Sequence, residues 1–298
     1  MPHAVATLLA PAKINLTLEV LTRRSDGYHT LRSVMVPIGL YDRITLTPTV
    51  RPHFSVRSAD GTPGDPGLER DNLVMRALEA AEVRAPLLVS LEKAIPVGGG
   101  LGGGSSDAAA VLRHLMHGGL GPLHQRDWLA LAKGLGSDVP FFLAGTAALV
   151  EGVGERITPL GALPPWWTVV VRPKVAVPTA EAYRLLDAGR NGAPSRPRAT
   201  SASLAAVDAL QRADLGALQA ALVNDFHDLI LAAYPAVARA DAALRAAGAS
   251  APLLSGSGSC LFALAESEAG AGAIAGRFDA SAADAVFVCP LHHDETWR

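Results

Sequence analysis

The chain has 298 residues, of which 49% are hydrophobic and 18% charged, and its formal net charge is −2. This composition excludes a disordered chain, and the length predicts a sizeable core and two domains. The near-neutral charge, without a strongly basic run, argues against nucleic acid as the main partner. The two cysteines, Cys260 and Cys289, are far apart and not in a metal-binding spacing. We therefore expect a reduced, cytoplasmic protein.

Neither an export signal nor a membrane span is expected. The first residues, MPHAVATLLAPAK, lack a basic segment at their start and reach Lys13 too early for a signal peptide. The uncharged run from Val139 to Val150 is too short to cross a bilayer and contains Pro140. These features predict a soluble protein without a membrane partner.

The first half of the chain predicts strands that lead to a glycine-rich loop. Residues 13–20, KINLTLEV, alternate apolar and polar side chains, which predicts a half-buried strand with Lys13 on its polar face. Asp71 or Asn72 is expected to cap a helix. The remaining elements predicted here are strands over 43–50, 52–58 and 86–95 and a Gly- and Pro-rich loop over 60–67.

The rest of the chain mixes helices and strands without regular βαβ alternation, which favours an α+β fold over a doubly wound sheet. The pattern of predicted elements changes after the middle of the chain, so we expect an N-terminal domain over 1–155 and a C-terminal domain over 156–298. Ser105 or Ser106 is expected to cap a helix that ends at Gly118-Gly119. The other predicted elements are a helix over 126–136, a strand, turn and strand over 146–160, a strand over 166–173, a helix after Pro178, a polar loop over 191–203, helices over 204–222 and 235–248, a strand, turn and strand over 253–264, and a strand over 285–291.

The stretch PVGGGLGGGSS, residues 96–106, holds six glycines between Gly98 and Gly104. Without Cβ atoms, several backbone N–H groups can converge on one anion, and the start of the following helix adds unpaired N–H donors and partial positive charge. A flexible linker is the alternative, but a linker would not join a buried strand to a capped helix. The stretch therefore predicts a phosphate-binding loop.

Two common phosphate-binding patterns do not explain this loop. The Walker pattern needs a lysine before the hydroxyl residue, and none is present. The dinucleotide pattern G-x-G-x-x-G can be drawn through Gly98, Gly100 and Gly103, but in so dense a run the match carries little information. No initial βαβ unit is predicted that would host it.

The loop resembles the phosphate loop of the GHMP kinases, in which P-x-x-x-G-L precedes Ser-Ser and alanines. PAKINLTLEV is similar to the family's N-terminal strand, and LLSGSGSCLFAL is similar to its C-terminal glycine-rich motif. The longer form GGGLGGGSSDAA resembles one branch of the family, as do RSDGYHTLRSV (24–34), GSDVPFFLAGTA (136–147) and EGVGERITPL (151–160). These segments follow one another in order from Pro11 to Leu264.

The resemblance implies a two-domain α+β architecture, with an N-terminal domain like the second domain of ribosomal protein S5. It implies a small-molecule kinase that uses ATP with Mg²⁺. In the branch, the phosphoryl group goes to the 2-hydroxyl of a cytidine diphosphate-linked methylerythritol, a step of non-mevalonate isoprenoid (isopentenyl diphosphate) biosynthesis. ATP would lie on the glycine loop and the substrate in the cleft between the domains. A monomer or weak homodimer is expected, and no protein ligand is assigned to the metal.

Lys13 and Asp138 are the expected catalytic residues. A carboxylate at the edge of an apolar segment, as in GSDVPFF, is suited to accept a proton from a hydroxyl, although Asp is more often a helix cap or turn residue. By resemblance Asp138 is the catalytic aspartate and Lys13 its partner. A nearby ammonium keeps such a carboxylate ionised and offsets phosphoryl charge. From periodicity alone, Lys13 would be an ordinary solvated lysine.

The resemblance also implies binding residues. Tyr28 and His29 would bind the cytosine, with Tyr183 on its other face, and Asn15 would contact the substrate; a strand-end tyrosine, an incidental histidine and a core tyrosine are the alternatives. Asp107 receives no catalytic role, and Cys260 is expected in the core. The residues expected to bind the nucleotide are Asn72, Lys93, Pro96, Val97, Gly98, Gly99, Gly100, Leu101, Gly102, Gly103, Gly104, Ser105 and Ser106, with a helix cap and a solvated lysine as alternatives for the first two.

Two other functions fit parts of the pattern. Another GHMP kinase, such as a homoserine or mevalonate kinase, is disfavoured by the extended glycine loop and by D-G-Y-H. A nucleotide-sensing regulator without activity is disfavoured because both Lys13 and Asp138 are present.

Overall fold

The computed structural model describes residues 5–59, 69–120, 127–190 and 201–291. Strands and helices alternate irregularly along this part of the chain, as an α+β fold requires. The strands are β1 Ala6–Asn15, β2 Thr17–Arg23, β3 His29–Pro48, β4 His53–Ser58, β5 Leu87–Lys93, β6 Ala148–Gly152, β7 Arg156–Pro159, β8 Trp167–Arg172, β9 Val223–Asn224, β10 Leu253–Leu254, β11 Leu261–Ala265 and β12 Ala285–Pro290. The helices are α1 Leu73–Ala80, α2 Gly103–Met116, α3 Trp128–Leu135, α4 Val139–Ala144, α5 Thr179–Arg190, α6 Ala202–Gln211, α7 Leu215–Ala221, α8 His227–Ala233, α9 Pro235–Ala246 and α10 Glu268–Arg277, with short 3-10 turns at Glu69–Asp71 and Ala280–Ala282.

Two sheets organise the molecule. The larger, eight-stranded sheet is built around the 20-residue strand β3, which pairs antiparallel with β1, β2, β5 and β6 along different stretches of its length. The smaller sheet has the antiparallel order β10-β11-β8-β12. Helices α1 to α4 follow strands of the first sheet along the chain, and α5 to α10 are interspersed with strands of the second. The α+β expectation is thus confirmed.

The first predicted strand differs from its expectation in two ways. Residues 13–20 span the end of β1 and the start of β2, with a break at Leu16. The strand is not half-buried: the polar side chains of Lys13, Asn15, Thr17 and Glu19 are buried together with the apolar ones. Thr17 and Glu19 are covered by the second half of the chain, where Ser203 on α6 hydrogen-bonds to both, and Lys13 is covered by the glycine loop, to whose Gly100 carbonyl it donates.

The two halves of the chain share one packed core. Ile14 and Val36 of the first sheet lie in the same buried cluster as Phe262 of the second. The short strand β9 crosses over as well, because it pairs in parallel with β2. Strand β7 belongs to the first sheet, so a division drawn by sheets falls between Pro159 and Trp167. The domain boundary at 155 stays a prediction.

Helix α2 begins earlier than expected. Its N-cap is Gly102, in the left-handed conformation, so neither Ser105 nor Ser106 caps it; the helix starts inside the glycine run. Asn72 caps α1 through its side chain, as expected. The predicted helix over 204–222 is broken into α6 and α7, and α4, α8, α10 and the first part of β3 were not predicted from periodicity. The loop at 60–67 and most of the loop at 191–203 lie outside the described residues.

None of the helices in the described ranges has the length and apolar character that a membrane span requires.

The glycine loop packs against a second glycine turn, residues 255–258. Lys13 Nζ and Ser255 Oγ both donate to the carbonyl oxygen of Gly100, at 2.7 and 3.0 Å, and the backbone N–H of Cys260 donates to Gly99. Gly98 and Gly100 have φ values of +71° and +76°. A Cβ on Gly100 would collide with the Ser255 carbonyl, whereas a Cβ on Gly98 would be 3.9 Å from its nearest neighbour, in Ala176. Of these two positions, only at Gly100 does the close approach of the second turn exclude a side chain.

We expect Gly100→Ala to destabilise the protein more than Gly98→Ala. Both substitutions carry the cost of a left-handed non-glycine residue, about 1–2 kcal/mol. Gly100→Ala adds the displacement of the second turn, about 1–3 kcal/mol more. Urea unfolding measures both changes. Equal losses for the two variants would contradict the close packing of the two turns.

Candidate active site

A cavity of about 1600 Å³ lies between the two halves of the chain. The glycine loop, the first turn of α2, the start of α4, the turn before β3 and one face of α5 line it. It brings together every site residue predicted from the sequence except one. The predicted residues that line it are Lys13, Asn15, Tyr28, His29, Asn72, Lys93, Pro96, Val97, Gly98, Gly99, Gly100, Leu101, Gly102, Gly103, Gly104, Ser105, Asp138 and Tyr183.

Ser106 is the exception. Its side chain is 1% exposed, and its Oγ has no hydrogen-bond partner among the described residues. Because α2 starts at Gly103, Ser105 faces the cavity and Ser106 lies on the other side of the helix, in a separate cavity of about 520 Å³. The hydroxyl on the main cavity is therefore that of Ser105.

The loop presents unpaired donors to the cavity. No described residue accepts a hydrogen bond from the backbone N–H groups of residues 100–105. The last three of these belong to the first turn of α2, where N–H groups have no intrahelical partner and the helix dipole favours negative charge. Left-handed glycines at 98, 100 and 102 turn the chain between them. Together these features form a cradle for an anion such as a phosphate.

Lys13 and Asp138 face each other beside this loop. Lys13 Nζ lies 3.8 Å from Asp138 Oδ2 and donates to Asn15 Oδ1 at 2.5 Å and to the Gly100 carbonyl at 2.7 Å. Burial lowers the pKa of Lys13, although the attraction of Asp138 acts in the opposite direction. Asn15 is in turn held by Ser33, to whose Oγ its amide donates at 2.8 Å. The solvated-lysine interpretation is therefore wrong.

Asp138 occupies the N-cap position of α4, but its side chain accepts no hydrogen bond from that helix. Its side chain is 35% exposed and lines the cavity. The backbone of this aspartate is thus at a helix start, while its carboxylate is directed to Lys13 and the open space. Its catalytic role stays a prediction. A carboxylate in this position can accept a proton from a bound hydroxyl.

A second buried cluster lies where β5 enters the loop. Lys93 Nζ donates to Asp42 Oδ2 and, at 2.7 Å, to Asp107 Oδ2. Asp42 also accepts from the backbone N–H groups of Ala94 and Ile95, at 2.7 and 2.9 Å, and so fixes the entry to the loop. Lys93 is largely buried and paired, unlike the solvated lysine considered as an alternative. Asp42 was missed in the sequence, where a single acidic residue in an apolar strand was the only signal.

The charges of this cluster are not balanced. Burial raises the pKa of Asp107 to about 7, opposed by the attraction of Lys93 and reinforced by Asp42. Burial also acts to lower the pKa of Lys93, but attraction to Asp107 and Asp42 outweighs it, so that pKa is raised. Two carboxylates thus compete for one ammonium. Asp107 Oδ1 has no hydrogen-bond partner among the described residues, and the residue lines the cavity.

Aromatic residues line the far end of the cavity. Tyr28 is 68% exposed, whereas the neighbouring His29 is buried. The His29 ring stacks on Tyr183 with centroids 4.9 Å apart and planes at 27°, and Tyr183 in turn contacts the edge of Phe226. Burial raises the pKa of Tyr183 to about 12, so its hydroxyl stays protonated. This arrangement has the shape and chemistry to hold a flat heterocycle.

Residues from the second half complete the site. Gly256 and Ser257 line the cavity, in the turn expected within residues 253–264. Asn224 holds this turn by donating to the carbonyls of Leu254 and Gly256, both at 2.8 Å. Cys260 is buried, as expected, and burial raises the pKa of its thiol to about 12. The roles of Asn224 and Ser255 depend on long-range contacts and had no signal in the sequence.

Comparison with known proteins agrees with this geometry. The family model for the GHMP kinases N terminal domain matches residues 72–146, and that for the GHMP kinases C terminal matches residues 206–284. The chain is 42% identical to the 4-diphosphocytidyl-2-C-methyl-D-erythritol kinase of Symbiobacterium thermophilum over 251 residues, which cover 83% of this chain and 86% of the relative. It is 41% identical to the kinase of the same name from Pelotomaculum thermopropionicum, over 92% of this chain and 94% of the relative.

Solved structures give the same result. A crystal structure of 4-(cytidine 5'-diphospho)-2C-methyl-D-erythritol kinase superimposes with a TM-score of 0.75 at 37% identity and covers 97% of this chain and 100% of that one. The mevalonate kinase of L. major, at 18% identity, superimposes with a TM-score of 0.72 over 98% and 97% of the two chains and shares the fold. The chain therefore belongs to the GHMP kinase family, in the branch of the 4-diphosphocytidyl-2-C-methyl-D-erythritol kinases.

Proposed function

We propose that the protein transfers the terminal phosphoryl group of ATP to the 2-hydroxyl of 4-diphosphocytidyl-2-C-methyl-D-erythritol, in non-mevalonate isoprenoid biosynthesis. One observation carries this proposal: a single cavity contains the anion cradle of the glycine loop, the Lys13–Asp138 pair and the aromatic end formed by Tyr28, His29 and Tyr183. These three parts match a triphosphate, a reacting alcohol and a cytosine. The names of the relatives support the same substrate.

In this mechanism Asp138 orients the acceptor hydroxyl and takes its proton. Lys13 is buried beside Asp138 and contacts the loop carbonyl of Gly100, so its charge acts where the phosphoryl group transfers. In a site shielded from water, such a charge is worth more than in solution. The unpaired N–H groups of the loop and Ser105 hold the phosphates in line. Most of the rate enhancement then comes from positioning and charge stabilisation.

Magnesium fits the chemistry of the loop. No group of three or more metal-ligating side chains occurs within the described ranges, but Mg²⁺ bound to a nucleotide needs only one or two carboxylates and otherwise binds phosphate oxygens and water. Asp107 Oδ1, which is buried on the cavity wall and has no hydrogen-bond partner in the described part of the chain, is the protein group that fits. The ion would neutralise charge on the phosphates, which otherwise repel Asp107.

The cytosine would lie at the aromatic end, next to His29 and Tyr183 and under the exposed ring of Tyr28. Asn72 and Lys93 lie on the wall near the loop, in reach of the nucleotide side of the cavity. Because Asn72 also caps α1 and Lys93 is paired to two carboxylates, we assign them a supporting role in shaping that wall.

We propose a cytoplasmic location, supported by the two buried cysteines, both of which are free thiols. A monomer or weak homodimer and the absence of a nucleic-acid partner remain predictions from the sequence.

The substrate assignment is tested with a panel of acceptor alcohols. We expect efficient ADP release only with the cytidylyl-linked acceptor, and little with homoserine or mevalonate, which lack a base for the aromatic end. Comparable turnover of homoserine or mevalonate would contradict the assignment.

We expect Asp138→Asn to lower kcat by roughly 10²–10⁴-fold while ATP still binds, because the amide cannot accept the proton. Steady-state kinetics and calorimetric ATP titration measure the two effects. Asp127→Asn is the matched control, since Asp127 caps α3 through its side chain outside the cavity. If both variants lose activity equally, the helix-start interpretation of Asp138 accounts for the loss.

Ser105→Ala should raise the KM for ATP about 3–10-fold, the effect of one lost hydrogen bond of roughly 0.5–1.5 kcal/mol. Ser106→Ala, the adjacent control, should leave it unchanged, since Ser106 Oγ lies outside the main cavity. The reverse result would mean that Ser106 holds the phosphates.

The stability of the free protein should depend on the ionisation of Asp107. Its pKa is about 7 in the folded state and near 3.8 in the unfolded chain, so the folded state retains a proton that the unfolded chain releases between these values. Stability conferred by the neutral form is therefore lost as pH rises from about 4 to 7. Asp107→Asn mimics that form and should gain stability over wild type across this interval, by about 1 kcal/mol or more.

Urea unfolding at pH 5, 6, 7 and 8 measures this difference. The exposed Asp208→Asn is the control and should give a difference independent of pH. A difference that stays constant for Asp107→Asn as well would contradict the raised pKa.

A further inference from the structure

The buried His29 is joined to the opposite half of the chain by an acidic residue that the mechanism above does not use. His29 opens β3, and Asp187 lies on α5. His29 Nε2 and Asp187 Oδ1 are 2.8 Å apart, and both residues line the cavity. The His29 side chain is 5% exposed, while that of Asp187 is 33% exposed. Stacking on Tyr183 fixes the plane of the imidazole, so its two nitrogens have defined directions.

The carboxylate decides which nitrogen carries the proton. A neutral imidazole has one N–H donor and one bare acceptor nitrogen, and an ionised carboxylate can only accept. Asp187 therefore favours the proton on Nε2 and makes Nδ1 the acceptor. The opposite tautomer would set a bare nitrogen against a carboxylate, two acceptors in contact. Nδ1 itself has no hydrogen-bond partner among the described residues.

An acceptor at Nδ1 distinguishes cytosine from the other pyrimidines. Cytosine carries an amino group, a donor, where thymine and uracil carry a carbonyl oxygen, an acceptor. A bare Nδ1 pairs with the amino group and opposes the carbonyl. Without a fixed tautomer, the imidazole could move its proton to Nδ1 and donate to that carbonyl instead.

We propose that Asp187 is a positioning residue that holds His29 in the Nε2–H tautomer and thereby makes the site select cytosine over uracil. This inference rests on the proposed function, because it concerns the base of that substrate. Asp187 contacts no reacting atom; it acts through His29.

Asp187→Asn is the sharpest test, because it keeps the size of the side chain. The amide can accept from Nε2–H through its oxygen or donate to a bare Nε2 through its nitrogen, so it no longer penalises either tautomer. We expect the preference for the cytidylyl acceptor over its uridylyl analogue, as a ratio of kcat/KM values at pH 8, to fall about tenfold. The loss should appear mainly in the KM of the acceptor, with the KM for ATP unchanged. Asp187→Ala should relax the preference similarly, and Asp187→Glu, which keeps a carboxylate, should retain it.

Two controls separate this effect from a structural one. Glu181→Gln makes the same chemical change on α5, where Glu181 pairs with Arg184 and does not line the cavity. Arg23→Gln removes a second partner of Asp187, since Arg23 Nε lies 3.7 Å from Asp187 Oδ2. Both should keep the wild-type preference. If Arg23→Gln relaxes it as strongly as Asp187→Asn, the effect belongs to the ion pair and the proposal is overturned.

The tautomer of His29 can be measured directly by nitrogen-15 NMR of labelled histidines, with CDP and UDP as bound probes. The His29 signals are assigned as those that His29→Gln loses. Wild type should keep Nε2–H with both nucleotides, whereas Asp187→Asn should shift to Nδ1–H when UDP is bound. An unchanged base preference in Asp187→Asn, or Nδ1–H in the wild type bound to CDP, overturns the proposal while the kinase function stands. If wild type does not phosphorylate the cytidylyl acceptor at all, the proposed function fails, and this inference with it.

Discussion

The contact of Lys13 with the glycine loop is the constraint on which the site depends. Lys13 donates through its backbone to Leu101 and through its side chain to Gly100, so one residue of β1 binds two successive loop carbonyls. The same ammonium faces Asp138. A buried cation needs such compensation, because its desolvation is costly without a partner. The loop, the Asp138 carboxylate and the first strand are therefore held in one geometry by the contacts of Lys13.

The site belongs to both halves of the chain. The second glycine turn buttresses the first through Ser255 and Cys260, and Asp187 of α5 reaches His29 of β3. The packed core beneath is also shared. A chain divided near its middle would thus separate the glycine loop from the second glycine turn and from α5, which pack against the site from the other half. This explains why the motifs that carry the chemistry are spread from Lys13 to Ser257 along the sequence.

Much of the fold and of the site could be predicted from the sequence, because the informative features are local. A strand that enters a glycine run and a helix predict an anion cradle from backbone geometry alone. Long-range pairing is where the prediction failed. Alternation in residues 13–20 indicated a solvated polar face, but α6 covers Thr17 and Glu19, and periodicity cannot reveal a partner 184 residues away in sequence. The helix start at Gly103 was missed because glycine is a weak helix former, while the surrounding contacts override that propensity. Asp42 and Asp187 were missed because each acts through a residue distant in sequence.

The anchoring of the loop by Asp42 has an evolutionary consequence. Its carboxylate reaches the main-chain N–H groups of Ala94 and Ile95 rather than their side chains. Any residue except proline supplies such a group. The side chain at the half-buried position 94 is therefore constrained only by its packing, and the glycine loop stays in register through any exchange that this packing tolerates, provided that an acidic residue persists in the middle of the long strand.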